Sequence, residues 1–352
     1  MLHRRPNLSF GKFARPLAAK KLLARVYKNT QFLALPTTIM SKLFVVFGAT
    51  GQQGGSAISY VLDDPELSKQ YKIRAVTRDP SNPKLSSFKE RGVEVVKGDF
   101  NDASSLKPAV SGAFVVFGVT LSVYDPVKGT EEEVKQGKSI VDAAIEAGAK
   151  YFIWSSAPDP DKISHGKYKH VSTFAGKSGV MDYIKSQPIT GIYYSPGSFM
   201  QNYQSQAAPK PLGDGTYGIF GRYKPDTELP IIDINDTGKF IGAILENPEK
   251  FSEQFVASAE GVYKVEDIVA RIAKVSGKTI TYHQATAEQF KKNVPPFMKP
   301  FADVMNDFFQ LIVEFGYYGP DLKKQVDNWS KQARGKLTTI EEFFEKNPLT
   351  FN

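Results

Sequence analysis

Cysteine is absent from the 352 residues, which excludes disulfides, thiol catalysis and cysteine-based zinc sites together. Histidine is nearly absent. Only His3, His165, His170 and His283 occur, none at ligand-like spacing, so no resident metal is expected. No apolar run reaches about 18 residues, so no membrane-spanning helix is expected. Internal repeats and low-complexity segments are missing too. What the chain has is enough apolar residue, 41% of the total, to bury a sizeable core. Its length suits about two domains or one large α/β domain with additions.

The net charge of +8 suggests a nucleic-acid partner until it is located. Eight of the 45 basic residues, and no acidic one, fall in residues 1–41. Residues 42–352 therefore hold 37 basic residues (45 less eight) against 37 acidic ones. A surface that tracks phosphates needs a basic excess, so direct nucleic-acid binding is not expected. The acid-free segment 1–40 has the composition of a mitochondrial presequence, with an amphipathic stretch around Phe13 to Tyr27. The alternative is an upstream extension of a chain that starts functionally at Met40. A start at Met40 implies a cytoplasmic protein, with the nucleus also open to it; a presequence implies a mitochondrial one.

The stretch LFVVFGATGQQGG, Leu43 to Gly55, organises the rest. Five apolar residues read as a buried parallel strand. The turn from Gly48 follows, and an apolar-periodic helix leads away through Ala57, Ile58, Val61 and Leu62. A strand, a glycine turn and a helix in this order seat a dinucleotide pyrophosphate. Gly48 permits the sharp turn, Gly51 permits close approach of backbone N–H groups, and Gly54 or Gly55 lets the helix pack against the sheet. The spacing is GxxGxxG rather than GxGxxG.

Lys72 to Thr77 reads as the second strand, with Arg78 at its end. A guanidinium there offers a fork to a ribose 2′-phosphate, so NADP is expected over NAD. Asp79 adjoins it and would accept the ribose hydroxyls if Arg78 pointed away. Strand three, Val93 to Val96, ends at Gly98-Asp99-Phe100, over the expected adenine; Asp99 either accepts from the adenine or caps the next helix. Strand four, Ala113 to Phe117, is followed by Thr120, where the middle of the cofactor should pass. A helix over Glu131 to Ala149, strand five over Tyr151 to Trp154 and strand six over Ile189 to Tyr194 complete a doubly wound parallel sheet of Rossmann type. Gln254 to Ala257 reads as another strand.

A reductase on this sheet would carry Tyr-x-x-x-Lys on the helix after strand five, the Tyr as acid and the Lys lowering its pKa. That helix, VSTFAGKSGVMDYIK (Val171 to Lys185), holds Lys177, but Thr173 stands four residues upstream. A threonine hydroxyl is not a usable acid near neutral pH. The only Tyr with a Lys four residues on is Tyr124, with Lys128, and it stands in a loop containing Pro126. His170, one turn before Thr173, reads either as a surface histidine or as a proton donor.

The segments GATGQQGG, AVTRDP, VVKGDF, EEEVKQGK and FAGK (Phe174 to Lys177) resemble the NmrA-like family, an atypical branch of the short-chain dehydrogenases. So do PGSFMQN (Pro196 to Asn202) and LPIIDINDTGKFIGAIL (Leu229 to Leu245). The resemblance covers roughly residues 42–345. It implies an NADP(H) site lined by Gly48, Thr50, Gly51, Gln52, Gln53, Arg78, Asp99, Thr120, Lys177 and Phe199 to Asn202. Within the last segment, Gln201 and Asn202 supply amides suited to the nicotinamide carboxamide. Family members divide between regulators that bind NADP(H) without demonstrated catalysis and NADPH-dependent reductases of isoflavone-reductase type.

Residues 1–40 are then an N-terminal extension, 41–195 the nucleotide-binding domain and 196–345 a smaller α/β lobe on the substrate or partner side. Pro230 to Ile234 is expected to return to the main sheet, and Asp236 to cap the helix Thr237 to Leu245. Pro300 to Phe315 carries apolar residues over more than half of a helix circumference, as core packing or as a face for a protein. Two functions follow. One is a redox sensor that regulates transcription through a protein partner. The other is an NADPH-dependent reductase of quinones or conjugated carbonyls, with Lys177 orienting the ribose and water or His170 supplying the proton.

Overall fold

A computed structural model describes residues 41–351 apart from 124, 126, 169 and 170, together with Met1. The expected presequence or extension, Tyr124 and His170 lie outside the described residues. Ser41–Asn352 forms one compact unit.

The glycine-turn region folds as its pattern dictates. Strand β1 (Lys42–Phe47) alternates strictly: Phe44 and Val46 enter one core, Val45 and Phe47 the other, so it is buried on both faces. Next come α1 (Gln52–Asp63), β2 (Tyr71–Thr77), α2 (Ser86–Glu90), β3 (Glu94–Lys97) and α3 (Ala103–Val110). They lead to β4 (Val115–Gly118), α4 (Gly129–Glu146), β5 (Tyr151–Ser155), α5 (Ser172–Lys185) and β6 (Thr190–Pro196). The second half holds β7 (Ser198–Phe199), β8 (Lys210–Pro211), β9 (Tyr217–Gly221), β10 (Glu228–Ile232), α6 (Thr237–Glu246), β11 (Phe255–Ser258) and β12 (Gly261–Lys264). It ends with α7 (Val265–Ser276), β13 (Ile280–Gln284), α8 (Ala287–Asn293), α9 (Ala302–Phe315), α10 (Leu322–Ser330) and α11 (Ile340–Lys346).

Seven parallel strands, ordered β11-β6-β5-β4-β1-β2-β3, form the main sheet. Helices cover both faces. The core with α1 and α6 lies on one side, and the core with α3, α4 and α5 on the other. The strand order reverses between β1 and β4, which opens a crevice at their carboxyl ends. Among the described residues no helix is long and apolar enough to cross a membrane.

The expected return of Pro230 to Ile234 to the main sheet is corrected. The free edge of β6 is taken by β11, which pairs Phe255 with Tyr193 and Ala257 with Ser195. Strand β10 instead joins a small sheet, antiparallel to β12 and parallel to β7. The expected cap is corrected as well. Asp236 accepts no backbone N–H of its own helix as a cap would. It is buried and turned to the C-terminal segment, accepting from Thr338 N–H at 2.6 Å and pairing with Lys239 at 2.6 Å. Asp233 caps the turn before it, accepting from Asn235 N–H at 2.9 Å.

The apolar helix α9 packs inward through Leu311 and Ile312, while Phe308 and Phe309 are half-buried. Phe308 lies edge-on to Phe174 at 5.1 Å, and Phe309 edge-on to Tyr223 at 4.9 Å. Core packing therefore accounts for most of its apolar surface.

Candidate functional site: the crevice at the strand-order reversal

The chain leaves β1 at Gly48, whose φ of +67° belongs to the left-handed region. Gly51 N–H then donates to Gly48 carbonyl at 2.8 Å, closing the turn. Helix α1 begins directly after Gly51, with no side-chain cap and no acidic residue in its first turn. Its free N–H groups and dipole face the crevice, the arrangement that receives an anion. Of the two glycines that could allow close packing, Gly54 is the one that does. A Cβ there would stand 2.4 Å from Gly48 O and 2.9 Å from Phe47 O. At Gly55 it would meet Ala49 O at an ordinary 3.5 Å.

The crevice encloses about 480 Å³, in the range of small-molecule sites. It brings together Gly48, Thr50, Gly51, Gln52, Gln53, Arg78, Asp99, Phe100, Thr120, Lys177 and Phe199. Arg78 is exposed and has no partner among the described residues. Asp79, its potential competitor, is turned aside. Its carboxylate takes the Ser81 hydroxyl and the Ser81 N–H, and these bonds lower its pKa. Lys84 lies away from this crevice, in an adjacent hollow of about 460 Å³ beside the start of α1. Asp99 accepts from Asn101 N–H at 3.0 Å, while Asp102 caps α3. Gln53 accepts from Ser155 Oγ at 2.8 Å, which ties the glycine turn to the end of β5.

Three expected residues are not in the lining: Met200, which is buried, Gln201 and Asn202. Gln201 is held by the turn before α6: its amide donates to Asp233 at 2.6 Å and accepts from Ile234 N–H at 3.2 Å. With Gln201 fixed in that turn, the following Asn202 also falls outside the crevice wall. Ile234, brought in by the same turn, lines it instead.

At the other end stands a charge pair with only its lysine in the lining. Lys177 Nζ donates to Glu133 Oε1 at 2.7 Å and to Thr120 carbonyl at 3.0 Å. Thr120 Oγ1 donates to the same carboxylate oxygen at 2.6 Å. Glu133 is fully buried and Lys177 16% exposed, so the lysine is the member that faces the crevice. Glu133 Oε2 has no hydrogen-bond partner among the described residues. Gly176 provides the room, since a Cβ there would stand 2.5 Å from that oxygen. Thr173, at the position where a reductase of this fold would place its tyrosine, keeps a buried hydroxyl with no partner among the described residues.

Sequence reasoning missed Glu133 as a functional residue, although a signal existed. On α4 it shares the buried stripe with Gly137, Ile140, Val141 and Ala144, and an acid on a core stripe calls for a partner.

The profile described as NmrA-like family matches residues 40–344. An NmrA-like family domain-containing protein of Dictyostelium discoideum is 29% identical over 317 residues, spanning 87% of this chain and 98% of its own length. An NmrA-like family domain-containing oxidoreductase, FrzB of Cladobotryum sp, is 28% identical over 69% of this chain and 76% of its own length. Among solved structures, NmrA, a negative transcriptional regulator in complex with NADP, superposes with a TM-score of 0.72 at 21% identity, covering 87% of this chain and 95% of that one.

The close approach at Gly54 is testable by unfolding in urea. Gly54→Val should cost about 2–4 kcal/mol, because backbone atoms rather than a flexible side chain oppose it. Gly55→Ala should stay within about 1 kcal/mol of the parent. Equal effects at the two positions would contradict the geometry.

Proposed function

The chain belongs to the NmrA-like family, and from that premise and the crevice geometry we propose that it is an NADP(H)-binding regulator. It senses redox or metabolic state and acts through protein–protein contacts, with a transcription regulator as the partner class. Residues 41–195, with α6 and β11 completing the sheet and its cover, seat the dinucleotide, and the rest of 196–345 forms the lobe on the substrate or partner side.

The observation that carries this reading is the state of the would-be catalytic end. Lys177 is engaged by Glu133 and Thr120, and the position of the customary acid holds Thr173. The cofactor half rests on the uncapped helix α1, its close packing on the end of β1 at Gly54, and Arg78, unpaired among the described residues. An unpaired guanidinium beside an Asp79 already occupied by Ser81 suits a 2′-phosphate. The NADP complex of the structurally similar NmrA and its role as a transcriptional regulator point the same way. Balanced charge in residues 42–352 favours a protein over a nucleic acid as the partner.

A second reading, an NADPH-dependent reductase, is favoured by the crevice mouth. Leu121, which follows β4 and lines the crevice, is 79% exposed and offers an apolar lip to a quinone or conjugated carbonyl. A bound dinucleotide would supply the hydride chemistry, and Lys177 would hold its ribose. The relative named as an oxidoreductase supports this reading.

Calorimetry should show NADP⁺ binding more tightly than NAD⁺. Arg78→Ala should weaken NADP⁺ by about tenfold or more while leaving NAD⁺ nearly unchanged. Equal affinities in the parent protein would contradict the assignment of Arg78. Over a panel of quinones and aldehydes, the regulator reading expects no NADPH consumption above background. Robust turnover abolished by Lys177→Ala would replace it with the reductase reading.

A further inference from the structure

Glu133 cannot touch a ligand in the crevice, because it is fully buried behind Lys177 and Thr120. Its stripe partners are glycine and apolar residues, and a buried ion pair is weak evidence of a stabilising role. The pair lies on the β4–β5 side of the strand-order reversal, opposite Arg78 and Asp99, which follow β2 and β3. A dinucleotide with its adenosine at Arg78 therefore directs its nicotinamide toward Lys177. The charged residues in the described lining are Arg78, Asp99 and Lys177. Among the described lining residues, Lys177 is thus the one charge at this end.

Resting on the NADP(H) reading, we infer that Glu133 sets the relative affinity of the two redox forms by cancelling the charge of Lys177. The nicotinamide ring is cationic in NADP⁺ and neutral in NADPH. A bare ammonium in the wall would repel the oxidised ring and leave the reduced one unaffected. With a carboxylate 2.7 Å behind it, the lysine presents a dipole whose field dies off faster than that of a net charge. Solvent screens the pair weakly, since neither Glu133 nor most of Lys177 is exposed. Glu133 thereby lets the crevice hold the oxidised cofactor, which a sensor of the redox ratio requires. Gly176 serves the same end by leaving space for the carboxylate.

The test is the ratio of the NADP⁺ and NADPH dissociation constants by calorimetry. In Glu133→Gln that ratio should rise by about tenfold, almost all of it through weaker NADP⁺ binding. Glu133→Met, which fills the stripe with an apolar chain, should shift the ratio the same way, and it decides alone if the Gln variant does not fold. Removing both charges, in Glu133→Gln with Lys177→Met, should return the ratio to within about threefold of the parent value. A merely structural glutamate would weaken both forms alike. Ratios within about threefold of the parent in the folded Glu133 variants would overturn the inference and leave the cofactor reading standing. A parent protein that binds neither nucleotide would defeat the cofactor reading itself.

Discussion

Helix α1 meets the end of β1 at a distance no side chain permits, and most of the functional geometry descends from that contact. With Gly54 against the carbonyls of Gly48 and Phe47, the first turn of the helix starts directly over the crevice. Its N–H groups then point at the gap between β1 and β4 rather than into a side-chain cap. The strand order opens that gap, and the helix end gives it an electrostatic preference. Binding at this end is a backbone property, which needs small residues more than it needs chemically special ones.

The opposite end works by different physics. There three side chains from three elements converge, Thr120 after β4, Glu133 on α4 and Lys177 on α5, and a glycine on α5 makes the space. The carbonyl of Lys177 also accepts from the Trp154 indole at 2.9 Å, which fixes α5 to β5. A lysine so held is poorly suited to activating a neighbouring hydroxyl and well suited to presenting a fixed potential. Phe174, three residues before it, packs against Phe308 and Tyr317 of the second lobe. The helix that carries the lysine is therefore in direct contact with the second lobe.

Much of this was legible in the residues. The continuous apolar run of β1, the glycine spacing and the apolar periodicity of α1 are local signals, and the sheet follows from them. The failures were non-local. Nothing in Pro230 to Ile234 says that β11, more than twenty residues later, will occupy the edge of β6. Asp236 sits where a cap belongs, yet its carboxylate goes to Thr338 across the fold. Gln201 looked free for a ligand because its partner, Asp233, lies on another turn. Glu133 was hidden by its neighbours: in Glu131-Glu132-Glu133 two acids face solvent, and helical phase alone distinguishes the third.

The central claim, a dinucleotide lying across the crevice from Arg78 to the Lys177–Glu133 pair, is tested most directly by a crystal structure grown with NADP⁺. The account predicts the pyrophosphate at the Gly51 end of α1, the 2′-phosphate on Arg78 and the nicotinamide ribose against Lys177. A ligand whose 2′-phosphate rests on Lys84 alone, or whose nicotinamide turns away from Lys177, would contradict it.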